Sequence, residues 1–284
     1  MTKMKPTPTD AALVAIDVSK ARNDVLIEVP GSKRRRRLVV PNTRSEHDYF
    51  IGLLGELECP VIAGFEATGN YHRPLAYRLL DAGCDLRLVS SVALARTREA
   101  LHNGWDKNDP KDAQVILHML RIGATQTYLD PIRAGINDIQ ELSKTHEIVS
   151  KSKTELWHRL LTHYIPLYFP VAANFAGNSR SDWFLAFLEA FPSPASIATL
   201  DKDAFIDAAW DVVGKKVSKA RLLGDIYETA QSSIGLPVDL DSPAVAMFRM
   251  VIQEGRSLIR QRDEIERQAE AVLRDHPDFL RLRQ

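Results

Sequence analysis

The sequence predicts an α/β domain followed by an all-α region, and three observations lead there. Short β-rich runs alternate with helical spacing through the first part of the chain, two of those runs end in a carboxylate, and long amphipathic stretches dominate the second part.

Leu13 to Asp17, Asp24 to Val29 and Arg36 to Val40 are β-rich runs separated by turn residues, among them Pro30-Gly31-Ser32, which predicts a meander of antiparallel strands. Ser45 to Leu57 carries Tyr49, Phe50, Leu53, Leu54 and Leu57 at helical spacing. Pro60 to Glu66 then reads as a buried strand, Asn70 to Ala82 as a helix stopped by Gly83, and Asp85 to Val89 as another strand. Three strands, a helix, a strand, a helix and a strand is the element order of the ribonuclease-H-like fold.

Further along, Ile139, Leu142, Val149, Leu156, Leu160 and Tyr164 form an apolar stripe over Ile136 to Tyr164, which predicts one long helix stopped by Pro166 and Pro170. Ala172 to Ser181 reads as a loop, and shorter helices are expected over Asp182 to Ala190, Asp201 to Ala209 and Ser218 to Ser233. Ser242-Pro243 opens a last long helix in which Val251, Leu258, Ile265 and Val272 recur every seven residues beside Ile252, Ile259 and Leu273. A sustained heptad favours coiled-coil pairing, within the chain or between subunits. Trp157 and Trp183 are expected to pack between helices, with stacking on unpaired bases as the alternative.

At 284 residues, with 45% apolar and 26% charged residues, the chain has the balance of a protein that buries a real core. No run approaches the roughly 20 apolar residues of a membrane span and the first residues carry no apolar leader, so no membrane partner and a cytoplasmic location are expected. Cys59 and Cys84 are too few for a disulfide framework or a cysteine zinc site, and both read as small buried side chains.

Four carboxylates carry the chemistry. Asp17 follows Leu13-Val14-Ala15-Ile16, Glu66 ends Val61-Ile62-Ala63-Gly64-Phe65, and Asp109 and Asp112 open the helical Asp109-Pro110-Lys111-Asp112-Ala113. Acids at two strand ends and on a first helical turn can converge on one point, where like charges raise one another's pKa and a hard divalent cation relieves them. That predicts a magnesium site working on phosphate. Asp109, Pro110 and Asp112 also make a well-capped helix start, a role compatible with metal binding because residues three apart share one helix face. Thr68, Asn70, Tyr71 and His72 follow Glu66 closely enough to orient a ligand.

Net charge is +0, so the distribution of charge matters more than its sum. Lys33, Arg34, Arg35, Arg36 and Arg37 lead straight into Leu38-Val39-Val40, at the start of a strand or in the turn before it. This run reads either as a solvated hairpin tip or as a nucleic-acid backbone contact, and Lys107 and Lys111 beside the acids carry the same pair of readings.

Ile16-Asp17-Val18-Ser19-Lys20, Glu66-Ala67-Thr68-Gly69-Asn70-Tyr71 and the Asp-x-x-Asp-Ala of Asp109 to Ala113, in that order, resemble the amino-terminal domain of the insertion sequence 110 family of transposases. The resemblance implies a RuvC-like DEDD domain over residues 1–130 and a helical coiled-coil region over 131–284, with Asp17, Glu66, Asp109 and Asp112 as the catalytic, metal-binding tetrad for Mg2+ or Mn2+. It further implies DNA as substrate, a guide RNA, a homodimer or higher oligomer built through the long helices, and a place on bacterial nucleoid DNA. In that family a smaller carboxy-terminal domain supplies a serine nucleophile, and the sequence ends at Gln284, about where that domain is expected to begin. Ser90-Ser91 stands where relatives commonly carry Asn-Pro, and His146 and His158 stand where arginine and asparagine are usual. The expected activity is a transposase or site-specific recombinase subunit. The alternatives are a metal-dependent resolvase-type nuclease and a non-catalytic nucleic-acid-binding fragment.

Overall fold

The computed structural model describes residues 8–32, 34–102, 109–176, 181–214 and 217–274, with side chains described except at 102, 109–111 and 217–220. Contact clustering divides the chain into Met1–Gly135 and Ile136–Gln284.

The first unit is built on the strands β1 (Ala12–Val18), β2 (Arg22–Glu28) and β3 (Arg35–Pro41), then α1 (Arg44–Gly55), β4 (Val61–Glu66), α2 (Arg73–Asp81), β5 (Asp85–Val89), α3 (Ser91–His102), α4 (Asp109–Arg121) and the two-residue β6 (Gln126–Thr127). The sheet runs β3-β2-β1-β4-β5-β6. β1 to β3 form the antiparallel meander, β4 and β5 add in parallel with β1, and β6 returns antiparallel to β5. This mixed order is that of the RuvC and ribonuclease-H-like fold, and it matches the expected succession of strands and helices.

Parallel central strands need cover on both faces, and the pleat sorts their side chains accordingly. Val14, Ile16, Val25, Ile27, Ala63, Phe65 and Leu86 point to one side, onto Phe50, Leu53 and Leu54 of α1 and Leu75, Ala76 and Leu79 of α2. Leu13, Ala15, Leu26 and Ile62 point to the other, onto Ile116, Met119 and Leu120 of α4. A Cβ on Gly64 would stand 2.7 Å from Leu120, so the absent side chain is what lets α4 lie close on β4. Gly83, at φ +85°, reverses the chain after α2 in a left-handed turn that glycine adopts without strain, with Cys84 N donating to Leu79 O at 3.0 Å. Cys84 is buried as expected, whereas Cys59, in the bend before Pro60 and β4, is only partly so.

The second unit is helical: α5 (Asn137–Arg159), a π turn (Leu160–Tyr164), α6 (Ile165–Tyr168), a 3-10 turn (Pro170–Phe175), α7 (Asp182–Ala190), α8 (Pro194–Ala198), α9 (Lys202–Val213), α10 (Val217–Gln231) and α11 (Pro243–Leu273). Pro166 does not stop the first long helix as expected. The wider π turn ends with Ile165 N donating to Leu160 O, and Pro166, in the first turn of α6, sits where the missing N–H is not needed. The expected loop from Ala172 is also more ordered, because Ala172 and Ala176 are buried in the core and the 3-10 turn carries them there. Residues 177–180 of that expected loop lie outside the described residues.

α5 and α11 pack along each other, with Gly255 of α11 close enough to Leu156 and Leu185 that a Cβ would meet them at 2.9 and 3.0 Å. Arg256 of α11 reaches both Asp182 (3.0 Å) and Glu189 (2.8 Å) on α7. Trp157 is buried and packs on Phe184, as does Trp183, so both tryptophans serve helix packing. The heptad stripe is only half covered: Val251 and Ile259 are buried, while Val272 is 47% exposed. Among the described residues no helix is long and apolar enough to cross a membrane.

Candidate metal centre

The parallel register pairs Ile16 with Phe65, so the next residues, Asp17 and Glu66, stand side by side at the carboxyl ends of β1 and β4. Alternation along each strand settles their direction. Asp17 follows the parity of Leu13 and Ala15, and Glu66 that of Ile62 and Gly64, so both lie on the face that α4 covers. Both are partly buried.

Asp112 comes to the same face from above, on the first turn of α4. It is 2% exposed, and the Nε of Arg98 on α3 donates to its Oδ1 at 2.6 Å. A carboxylate this deep needs such a partner, because an unpaired buried charge is strongly unfavourable. Asp109 is the first residue of α4, three positions before Asp112, and its side chain lies outside the described residues. The three described acids of the expected tetrad therefore share one side of the sheet.

A fifth acid was missed by sequence reasoning. Asp24 on β2 is paired in register with Asp17, lies on the same face, and is 7% exposed. The signal was present in the strand parity of Asp24 and Leu26, but it becomes readable only once the hairpin register is known. Arg98 carried no local sequence signal at all.

The basic run divides by parity. β3 places Arg35 and Arg37 on the α4 side, where Arg35 meets Glu28 at 3.1 Å and Arg37 meets Asp24 at 3.5 Å, while Arg36 shares the opposite side with Leu38 and Val40. Arg34 is exposed ahead of the strand. Lys33 and Lys107 lie outside the described residues, as does the side chain of Lys111.

Of the polar residues after Glu66, Tyr71 is 48% exposed, whereas His72 is buried at the start of α2. His72 stacks on Phe65 at 5.3 Å and meets the edge of Tyr128 at 5.8 Å. Burial lowers its pKa, with the neighbouring Arg73 cation acting in the same direction.

The donor set is all carboxylate oxygen, which suits a hard divalent cation and little else. Among the described residues no three ligating side chains stand near enough to form a closed group, and Asp112 is engaged by Arg98 instead. The residues fit such an ion by donor type and by their common face.

The transposase family defined by the DEDD motif of the IS110 elements matches residues 14–170. No match was found among curated proteins. Among solved structures the chain is similar to "Thermus thermophilus RuvC structure", at 12% identity and a TM-score of 0.30 over 41% of this chain and 99% of that one. A second similar structure is "T. thermophilus RuvC in complex with Holliday junction substrate", at 12% identity and a TM-score of 0.28 over 42% and 99%. Since the family match spans more than half of its residues, the chain belongs to the IS110 family of DEDD transposases, a family of DNA phosphoryl transfer that is typically dependent on a divalent metal.

Proposed function

We propose that Asp17, Glu66, Asp109 and Asp112 hold one or two Mg2+ or Mn2+ ions at the carboxyl end of the sheet and that this centre cleaves and exchanges DNA strands. The observation that supports it is the side-by-side placement of Asp17 and Glu66 with Asp112 descending on the same face. Held there, such ions would supply charge stabilisation to an in-line displacement at phosphorus. The chain's own residues do the rest. Asp17 and Glu66 are fixed by rigid strands and keep their spacing, and Asp112, carried on a helix packed by Leu120 over Gly64, closes the site from above. Arg98 occupies the Asp112 carboxylate and keeps the buried charge balanced until an ion takes that place.

The family carries two further parts of the reading: a guide RNA that selects the DNA, and a homodimer or larger assembly joined through the long helices. The half-exposed stripe at the end of α11 supports the second. The RuvC-like domain is assigned to residues 1–130 and the helical region to 131–284.

Titration calorimetry with Mn2+ tests the centre. Binding is expected in the wild-type chain and should be lost, or weakened at least ~100-fold, in Asp17→Asn and Glu66→Gln proteins that retain their circular dichroism. Unchanged binding in both variants would remove the proposal.

A further inference from the structure

The α4 side of the sheet gathers a row of arginines beside its carboxylates. Four arginines stand on it, Arg22 from β2, Arg35 and Arg37 from β3, and Arg121 from the end of α4, and they share two acids. Asp24 is approached by Arg37 at 3.5 Å and Arg22 at 3.8 Å, and Glu28 by Arg35 at 3.1 Å and by Arg121, whose Nε donates at 2.7 Å. The side chains of the arginines remain 57%, 43%, 53% and 39% exposed in chain order. Each guanidinium has five N–H donors in a planar fork, so one edge can be anchored while the other faces solvent.

The placement of these groups is directional. Asp24 is level with Asp17, and Glu28 is level with Leu13 at the far end of β1, about 13 Å away at strand rise. Asp24 and Arg37 line the same small cleft as Ala113 and Gln114, the residues that follow Asp112. The strip thus begins beside the acidic centre and runs down the flank of α4. Arg35 and Arg37, two residues apart, are about 7 Å from each other, comparable to the step between successive phosphates of a nucleic-acid strand. Arg121 holds the Glu28 carboxyl below the usual carboxylate range, with Arg35 adding to the effect, so this anchor is ionised at neutral pH. Exposed ion pairs contribute little to stability, which leaves four arginines on two acids without a purely structural reason.

We propose that Arg22, Arg35, Arg37 and Arg121, pre-oriented by Asp24 and Glu28, form a track for the phosphate backbone of DNA that leads one strand into the acidic centre. The proposal rests on the assignment of that centre to DNA chemistry and adds the path by which DNA reaches it. Anchored donors lose little freedom on binding, and duplex DNA, with its dense phosphate charge, is the complementary partner. Arg36, inside the same basic run, has no part in the track because the pleat turns it to the α1 side.

Parity gives the test. Two variants of the 284-residue chain, Arg35→Gln with Arg37→Gln and Arg34→Gln with Arg36→Gln, remove the same charge from neighbouring positions. Fluorescence anisotropy with a labelled random-sequence duplex, in EDTA, should show at least ~10-fold weaker binding for the first pair, with a slope of log affinity against log salt shallower by about 2, and less than ~2-fold change for the second. Arg22→Gln and Arg121→Gln should each weaken binding ~3-fold or more. Arg22 and Arg121 still balance Asp24 and Glu28 in the first variant, so it should fold. Its Mn2+ affinity, measured separately, should match wild type. Equal losses in the two pairs, or a parity effect seen with RNA duplex and absent with DNA, would overturn the track while leaving the metal centre standing. A wild-type chain that binds Mn2+ but no DNA would overturn the track and the DNA reading together.

Discussion

Arg98 and His72 show how single side chains set the stability of the sheet unit. Arg98 balances a nearly inaccessible Asp112, and losing one partner of a buried pair destabilises by about 3–5 kcal/mol. Arg98→Gln should therefore lower the melting temperature of the metal-free protein, and Mn2+ should raise it by more than in wild type, because the ion then meets an unpaired carboxylate. Differential scanning fluorimetry with and without Mn2+ reads both, and an equal metal-induced shift in the two proteins would show that Arg98 and metal do not compete. Arg98→Lys serves if the glutamine variant does not fold. His72 acts through pH. Burial lowers its pKa below the ordinary value of 6.5, so the folded chain binds fewer protons than the unfolded one as pH falls through that value. Its contribution is complete above about pH 6.5 and is lost as pH falls through the lower folded pKa. His47, also lowered by burial, adds to the same loss. His72→Phe should flatten this decline in a series of chemical denaturations from pH 7.5 to 5, and a slope equal to wild type would show that His72 is not its source.

Among the elements, the strands were the most legible, because their apolar runs are bounded by turn residues and need no knowledge of partners. Asp85 to Val89 is β5 residue for residue, and Glu66 does end β4. Asp17 and Glu66 were legible as strand-end acids for the same reason, since each follows one of those runs. What depended on register was not legible, which is why Asp24 and the parity of Arg35 to Arg37 emerged only from strand pairing. The π turn was hidden because Pro166 reads as a stop in any local window, and only the widened turn before it removes the clash. Gly64 is where element packing meets the site. A methyl group there would press on Leu120 and lift α4 from β4, so Gly64→Ala should destabilise the protein by about 1–3 kcal/mol and weaken Mn2+ binding through displaced Asp112. Urea denaturation and calorimetry check the two parts; a destabilised variant with wild-type metal affinity would show that α4 keeps its position.

At the scale of the whole molecule, each unit has its own core, on both faces of the sheet in the first and among α5, α7, α9, α10 and α11 in the second. Scanning calorimetry should resolve two transitions, and Mn2+ should move only the one belonging to the sheet unit, since a ligand stabilises only the structure that binds it. A single transition shifted as a whole would show the two units unfolding together. The sheet order also has a consequence in time. The β1–β2–β3 meander joins sequence neighbours and can pair once Pro41 has been made, whereas the second edge of β1 must wait for the chain to cross through α1 before β4 can dock. During synthesis Asp17 therefore stands on an open strand edge, Glu66 joins it second, and Asp112 arrives only with α4. The face that carries the three described acids is thus assembled in the order in which the ribosome releases it, with Asp112 last.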